Sequence, residues 1–150
     1  MTSSDVLARL RWFLLVLSTL LFSGTLVELW LVNHTEDIVQ WLPFVLSGAG
    51  VIVVLSFLLN PRRATMLSLR GWMLVVIAGS LFGIYQHVSN NIAFEREISP
   101  TAPTSRILRA ALSGANPLLA PGMLAVSALL ALAATYQYGV NNKSKGEVEA

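Results

Sequence analysis

The sequence contains no cysteine, so disulfide bonds, thiolate nucleophiles and thiolate metal ligands are all excluded. Charged residues are scarce as well, at 12% of the 150 residues, whereas hydrophobic residues make up 55%. The mean hydropathy is +0.66. A water-soluble domain needs more polar surface than this composition supplies. The sequence therefore predicts a protein that lies in a lipid bilayer.

Motifs that carry chemistry are also missing. The sequence has no phosphate-binding glycine loop, no hydrolase nucleophile motif and no H-E-x-x-H metal motif. It contains two histidines, His34 and His87, which lack the close spacing of a metal-binding pair. The basic residues lie at the ends of apolar segments rather than along one helix face, which argues against nucleic-acid binding. We expect no enzymatic activity, no cofactor and no metal centre.

Four apolar segments are each close to the roughly 20 residues that cross a hydrocarbon core about 30 Å thick. They cover residues 10–32, 41–59, 71–88 and 118–138. Tryptophan and tyrosine, which favour the membrane interface, fall near the segment ends. The predicted fold is all-α, a single membrane domain built as a bundle of four transmembrane helices. The polar tail, residues 141–150, is predicted to be disordered.

The distribution of lysine and arginine predicts the orientation of the chain. Seven of the ten basic residues lie at or before the beginning of the first segment, between the second and third, or after the fourth. The other three lie in the loops on the opposite side. Because basic residues are retained on the cytoplasmic side, both termini are predicted to be cytoplasmic and the loops 33–40 and 89–117 external. The predicted location is the cytoplasmic membrane.

The external loop 89–117 is longer than the roughly 2–8 residues that usually connect bundled helices. Its middle predicts a short helix over residues 105–113, which Thr104 and Ser105 can cap and Gly114 can end. The apolar residues of this helix gather on one side, so it is predicted to lie in the membrane surface. Two interpretations remain open: a cover packed on the end of the bundle, or a surface that binds a partner or lipid headgroups.

Polar residues near the external end of the third segment are the first part of a candidate site. Gly79, Gly83 and His87 are spaced four apart, so they share one helix face. Because this face is small, a neighbouring helix can approach it closely. Asn91 and Glu95 continue the same face if the helix extends past the membrane.

Glu28 is the second part of the candidate site. It lies about 6 Å inside the external end of the first segment, where an unpaired carboxylate is costly. We therefore expect it to turn inward, with His87 as its partner and Asn91 nearby. Arg109 is a further external group within reach. The predicted site comprises Glu28, His87, Asn91, Glu95 and Arg109.

Three interpretations of this polar cluster remain open. It is a structural hydrogen-bonded network, a site that handles protons or small solutes, or a metal or haem site. The other segments lack the internal charges expected along a conduction path. The leading hypothesis is a non-enzymatic accessory or interaction protein whose partner, besides the lipid bilayer, is another membrane protein or a second copy. The alternatives are binding or transport of a proton, ion or small ligand through Glu28 and His87, and a metal- or haem-binding redox component.

Residues 83–122 read GIYQHVSNNIAFEREISPTAPTSRILRAALSGANPLLAPG. They combine a histidine, an asparagine, an acidic pair, a helical segment and a Gly-Ala-x-Pro-x-Leu-Ala-Pro-Gly turn into the last segment. This run resembles a segment of uncharacterised four-helix membrane proteins of bacteria. The matching positions are His87, Asn91, Glu95, Glu97, Gly114, Ala115, Pro117, Leu119, Ala120, Pro121 and Gly122. The resemblance implies a four-helix membrane fold and brings no activity with it.

Overall fold

The computed structural model describes residues 2–114, 118–136 and 138, which form five α-helices and one 3-10 turn without a β-strand. The helices are α1 (Ser3–Leu31), α2 (Leu42–Leu59), α3 (Arg63–Ile98), α4 (Thr104–Leu112) and α5 (Leu119–Ala134). The predicted all-α fold is confirmed. Three helical segments, α1, α3 and α2 with its preceding turn, are long and apolar enough to cross a membrane. The predicted disordered tail, residues 141–150, lies outside the described residues.

Local capping signals set where α1 begins and ends. The Thr2 side chain accepts from the backbone N–H of Asp5 over 3.3 Å, and the Asp5 carboxylate accepts from the Thr2 N–H over 3.0 Å. This reciprocal cap starts the helix seven residues before the predicted apolar span. At the other end Asn33 has a φ of 50°, and the N–H groups of residues 33 and 34 donate back to the last turn. Asparagine tolerates this left-handed conformation, which closes the helix.

α3 is much longer than the apolar segment that predicted it. Its 36 residues extend over about 54 Å, whereas the sequence predicted residues 71–88. The predicted external loop is therefore wrong in its first ten residues, 89–98, which are helical. These residues are polar but contain neither proline nor glycine, so nothing in the chain ends the helix before Ser99 and Pro100.

α1, α2, α3 and α5 form a bundle in which α1 and α3 each pack against both α2 and α5. Its interior is apolar and includes Leu15, Phe22, Leu46, Val54, Phe57, Leu69, Met73, Val76, Leu124, Ala128, Ala131 and Ala134. We call the end of the bundle where α1 begins the Arg11 end, and the end where α3 meets α4 the Asn91 end. The Arg11 end also holds the beginning of α3 and the end of α5, since Arg70 and Arg11 contact Thr135 and Tyr136.

From its beginning to its end, α3 packs first against α5 and then against α4. The contacts that establish this are Arg70 with Thr135, Gly83 with Pro121 and Asn91 with Ala111. From the first to the last of these contacts, the residue on α3 advances by 21 positions, from 70 to 91. Its partner moves back by 24 positions, from 135 to 111. α4 and α5 therefore run antiparallel to α3 in one register, and the break between them takes up the difference. The sequence predicted a helix over residues 105–113, where the structure has Thr104–Leu112, but not its packing along α3.

The small face predicted on α3 is confirmed as a close-packed seam. A Cβ atom on Gly79 would lie 2.5 Å from Cδ1 of Leu46 on α2. A Cβ atom on Gly83 would lie 3.2 Å from Cβ of Pro121 on α5. Because glycine has no side chain at these two positions, α3 can approach both neighbouring helices.

Candidate functional site

Asn91 lies at the junction between α3 and the end of α4. Its side chain is 1% exposed, and its Nδ2 donates to the carbonyl oxygen of Ala111 over 2.8 Å. Ala111 belongs to the last turn of α4, where carbonyl groups lack partners within the helix. Gly114 lies against the amide, since a Cβ atom there would be 2.8 Å from Cγ of Asn91. Asn91 therefore caps α4, and Gly114 leaves room for it.

His34 and His87 both lie at the Asn91 end of the bundle. His87 is half-buried, and its Nδ1 is buried without a hydrogen-bond partner among the described residues. His34 lies in the connection between α1 and α2, near enough to His87 to feel its charge. Partial burial and, second, the charge of His87 lower the pKa of His34 below its ordinary value. The sequence marks both histidines but does not predict that their rings lie within electrostatic range of each other.

Glu28 does not join this cluster. It is exposed, and the structure contains no hydrogen bond or ion pair between Glu28 and His87. The buried stripe of α1 consists of Leu15, Ser18, Phe22, Thr25 and Leu29. Glu28 precedes the last of these by one residue, so its side chain leaves the helix about 100° away from that residue. The expected pairing is wrong because depth along the helix does not determine direction around it.

The remaining predicted site residues lie at the edge of the cluster. Glu95 is half-buried and Arg109 is exposed. Neither forms an ion pair within the described part of the chain. Of the five predicted residues, the structure therefore fully buries Asn91 in a contact with α4 and partly buries His87 and Glu95, whereas Glu28 and Arg109 are exposed. No group of three or more His, Asp or Glu side chains in the described residues has the arrangement of a metal site.

Between its two ends the bundle buries hydroxyl groups rather than charges. Ser18 on α1 donates to the carbonyl oxygen of Ser127 on α5 over 2.8 Å, which ties these helices together. The hydroxyl groups of Ser47 and Ser80 are buried without a described partner. Among the residues that the structure describes, no charged side chain is fully buried. The interior thus lacks the series of ionisable groups typical of a proton pathway.

A second polar cluster, at the Arg11 end, holds the end of α5. Arg70 donates through Nη2 to the carbonyl oxygen of Thr135 and through Nε to its hydroxyl oxygen over 3.2 Å. Arg11 donates to the carbonyl oxygen of Tyr136 over 3.0 Å and lies 5.5 Å from the centre of the Tyr138 ring. Carbonyl groups at a helix C-terminus carry partial negative charge, so both guanidinium groups stabilise this end.

In the sequence these two arginines serve as orientation signals, and their contacts with the end of α5 are not predicted. Their partners lie 125 and 65 residues further along the chain, so no local pattern marks them. A signal of another kind was present, because Arg11 and Arg70 each lie within an apolar helix rather than in a loop. An arginine in such a position needs acceptors nearby.

No protein family model matches the chain, and comparison with curated proteins and with solved structures gives no match. The resemblance of residues 83–122 to four-helix membrane proteins of bacteria therefore stays a prediction. The function has to be inferred from the geometry.

Replacing Asn91 by aspartate is expected to destabilise the protein. The carboxylate keeps the shape of the side chain but turns an acceptor toward the carbonyl oxygen of Ala111, with a cost of about 1–3 kcal/mol. Thermal unfolding in detergent measures the change. Asn90→Asp, at the exposed neighbouring position, is the matched control. Equal stability of the two variants would contradict the capping role.

His34 is expected to titrate below the ordinary histidine pKa of about 6.5. Because the unfolded chain then binds the proton more readily, stability is present above that pH and decreases as the pH falls below it. NMR of the two histidine rings measures the titration. His87→Gln should raise the pKa of His34 part of the way, since burial remains the larger cause. A pKa of His34 that does not respond to this substitution would contradict the proximity of the two rings.

Proposed function

We propose that the protein is an integral membrane protein with four spans and cytoplasmic termini, and that it acts as a non-enzymatic interaction subunit. The part that binds is the external hairpin, defined as residues 88–112, which contains the outer part of α3 and the whole of α4. The partner is a second membrane protein, or a second copy of the chain, that contacts this hairpin. Three features support the proposal.

The first feature is the packing of α5, which supports a fourth crossing. With 16 residues α5 extends over about 24 Å, short for a span. It nevertheless packs along both α1 and α3, and its last carbonyl groups accept from Arg11 and Arg70. An apolar helix held in this way between two long apolar neighbours is best placed across the same bilayer.

The second feature is the length of α3, which supports an external hairpin. A helix of about 54 Å exceeds a hydrocarbon core of about 30 Å, so part of α3 extends into water. The basic residues at the Arg11 end favour the cytoplasmic side for that end and the external side for the Asn91 end. α4 runs antiparallel to α3 and buries Ile107 and Ala111 against it. We therefore place α4 upright beside α3 in the external hairpin rather than in the membrane surface.

The third feature, which carries the functional proposal, is an apolar ridge on the hairpin. Leu108 and Leu112 are 47% and 64% exposed and lie one turn apart on α4. The apolar face predicted for this helix is thus divided, since Ile107 and Ala111 contact α3 while the two leucines face outward. An exposed apolar ridge on a rigid helix is the arrangement that a groove on a partner binds. The exposed carboxylate of Glu28, at the outer end of α1, also favours a partner with a hydrogen-bond donor.

Single introduced cysteines test the proposed topology. Because the chain has no cysteine of its own, labelling of each variant reports the introduced position alone. Glu36→Cys and Thr101→Cys should react with a membrane-impermeant maleimide in intact cells. Ser4→Cys and Tyr136→Cys should react only after the membrane is permeabilised. Labelling of residues 101 and 136 from the same side would contradict the fourth span.

The interaction is tested by extracting the tagged full chain from its native membrane in mild detergent and measuring its size on native gels. We expect a complex larger than the monomer, and mass spectrometry then shows whether it holds another protein or a second copy. Leu108→Glu should release the complex because it places a carboxylate in the apolar contact. Ser105→Glu, at an exposed position of the same helix, is the matched control and should retain it. A wild-type chain that is monomeric, or a complex that survives Leu108→Glu, would contradict the proposal.

A further inference from the structure

A cleft of about 260 Å³ opens at the Arg11 end, between the beginning of α1 and the end of α2. Most of its wall is apolar and aromatic, with Trp12 on one side and Phe57 and Leu58 on the other. Tyr138 closes one edge of the cleft, and Arg11 is the charged residue in its lining. The cleft is small for a drug-sized ligand, whose pockets occupy about 300–1,000 Å³, and suits one end of a longer molecule.

The positive charge of Arg11 is not compensated within the described part of the chain. A guanidinium group has five N–H donors, and the structure gives that of Arg11 one acceptor, the carbonyl oxygen of Tyr136. Its Nε is buried without a partner, and no carboxylate forms an ion pair with it among the described residues. The Tyr138 ring, 5.5 Å from the guanidinium carbon, partly stabilises the charge. Its Nη1 group forms no hydrogen bond within the described residues and is not buried, so its donors are available to an anion.

The surroundings of the cleft determine which anion fits. Pro61, which lines the cleft, is followed by the exposed residues Arg62 and Arg63, so the rim is positive as well. The apolar wall disfavours a small hydrated anion but accommodates an acyl chain. A molecule with a phosphate beside an acyl chain satisfies both parts of the cleft, and it is abundant at the level where an apolar helix meets water.

We propose that this cleft binds the headgroup of an anionic phospholipid. The guanidinium group of Arg11 donates to the phosphate oxygens, and Phe57 and Leu58 contact the first carbon atoms of an acyl chain. Arg62 and Arg63 add attraction for the negative headgroup. Which leaflet supplies the lipid follows from the orientation under Proposed function, but binding itself depends neither on that orientation nor on the partner of the external hairpin.

The test is native mass spectrometry of the purified full chain with phosphatidylglycerol and, separately, phosphatidylcholine. We expect one phosphatidylglycerol to be retained in preference to phosphatidylcholine. Arg11→Gln should weaken phosphatidylglycerol binding about tenfold or more, because charge-assisted hydrogen bonds to the phosphate are lost. Arg9→Gln is the matched control. It removes the same charge from the opposite side of α1, about 200° around the helix, and should leave binding unchanged.

A second variant separates binding from folding, since Arg11 also holds the carbonyl oxygen of Tyr136. Ala8→Trp fills the cleft without removing that hydrogen bond, so it should abolish lipid retention and leave the unfolding temperature of the lipid-free protein unchanged. Equal retention of both lipids by the wild-type chain would overturn the proposal. Equal losses in Arg9→Gln and Arg11→Gln would overturn it too. So would inorganic phosphate, if it stabilised the protein as much as phosphatidylglycerol does.

Discussion

The antiparallel register between α3 and the pair α4 and α5 is the constraint on which the rest of the structure depends. α3 is one continuous helix of 36 residues, and the chain returns along it as two shorter helices separated by a break. Helices of 9 and 16 residues have little stability of their own. Here each is held at its C-terminal end by a side chain from α3, Asn91 for α4 and Arg70 for α5.

These contacts explain where a chain with few polar residues places them. A backbone carbonyl group that is buried away from water without a partner costs free energy comparable to a lost hydrogen bond, and every helix leaves unpaired carbonyl groups at its end. Asn91, Arg70 and Arg11 each donate a cross-helix hydrogen bond to a carbonyl group at or just after a helix end. The interior between them needs little beyond hydroxyl groups, such as the Ser18 bond to α5. The polar clusters at the two ends of the bundle therefore serve first to satisfy the carbonyl groups at helix ends. The cleft beside Arg11 lies where the guanidinium group of one cluster keeps N–H donors without an acceptor.

The sequence predicted those features that follow from short-range chemistry. α2 was predicted to within one residue, and the small face of Gly79 and Gly83 was identified because residues four apart share a helix face. Other features were missed for physical reasons. The apolar segment ends before the helix does, so hydropathy underestimated α3, whose last ten residues are mostly polar but still helical. The direction of Glu28 depends on helical phase, and the roles of Arg11 and Arg70 depend on residues far along the chain.

The register of α3 against α5 is tested most directly by a disulfide across the seam. In this cysteine-free chain, Gly83→Cys and Pro121→Cys would place two Cβ atoms at about the separation that a disulfide requires, about 3.5–4.5 Å. Mild oxidation of membranes that contain the double variant should crosslink the two positions within the monomer. Gly83→Cys combined with Ala125→Cys, one turn further along α5, should remain reduced. Efficient crosslinking of the displaced pair, or none of the matched pair, would contradict the register and the fold built on it.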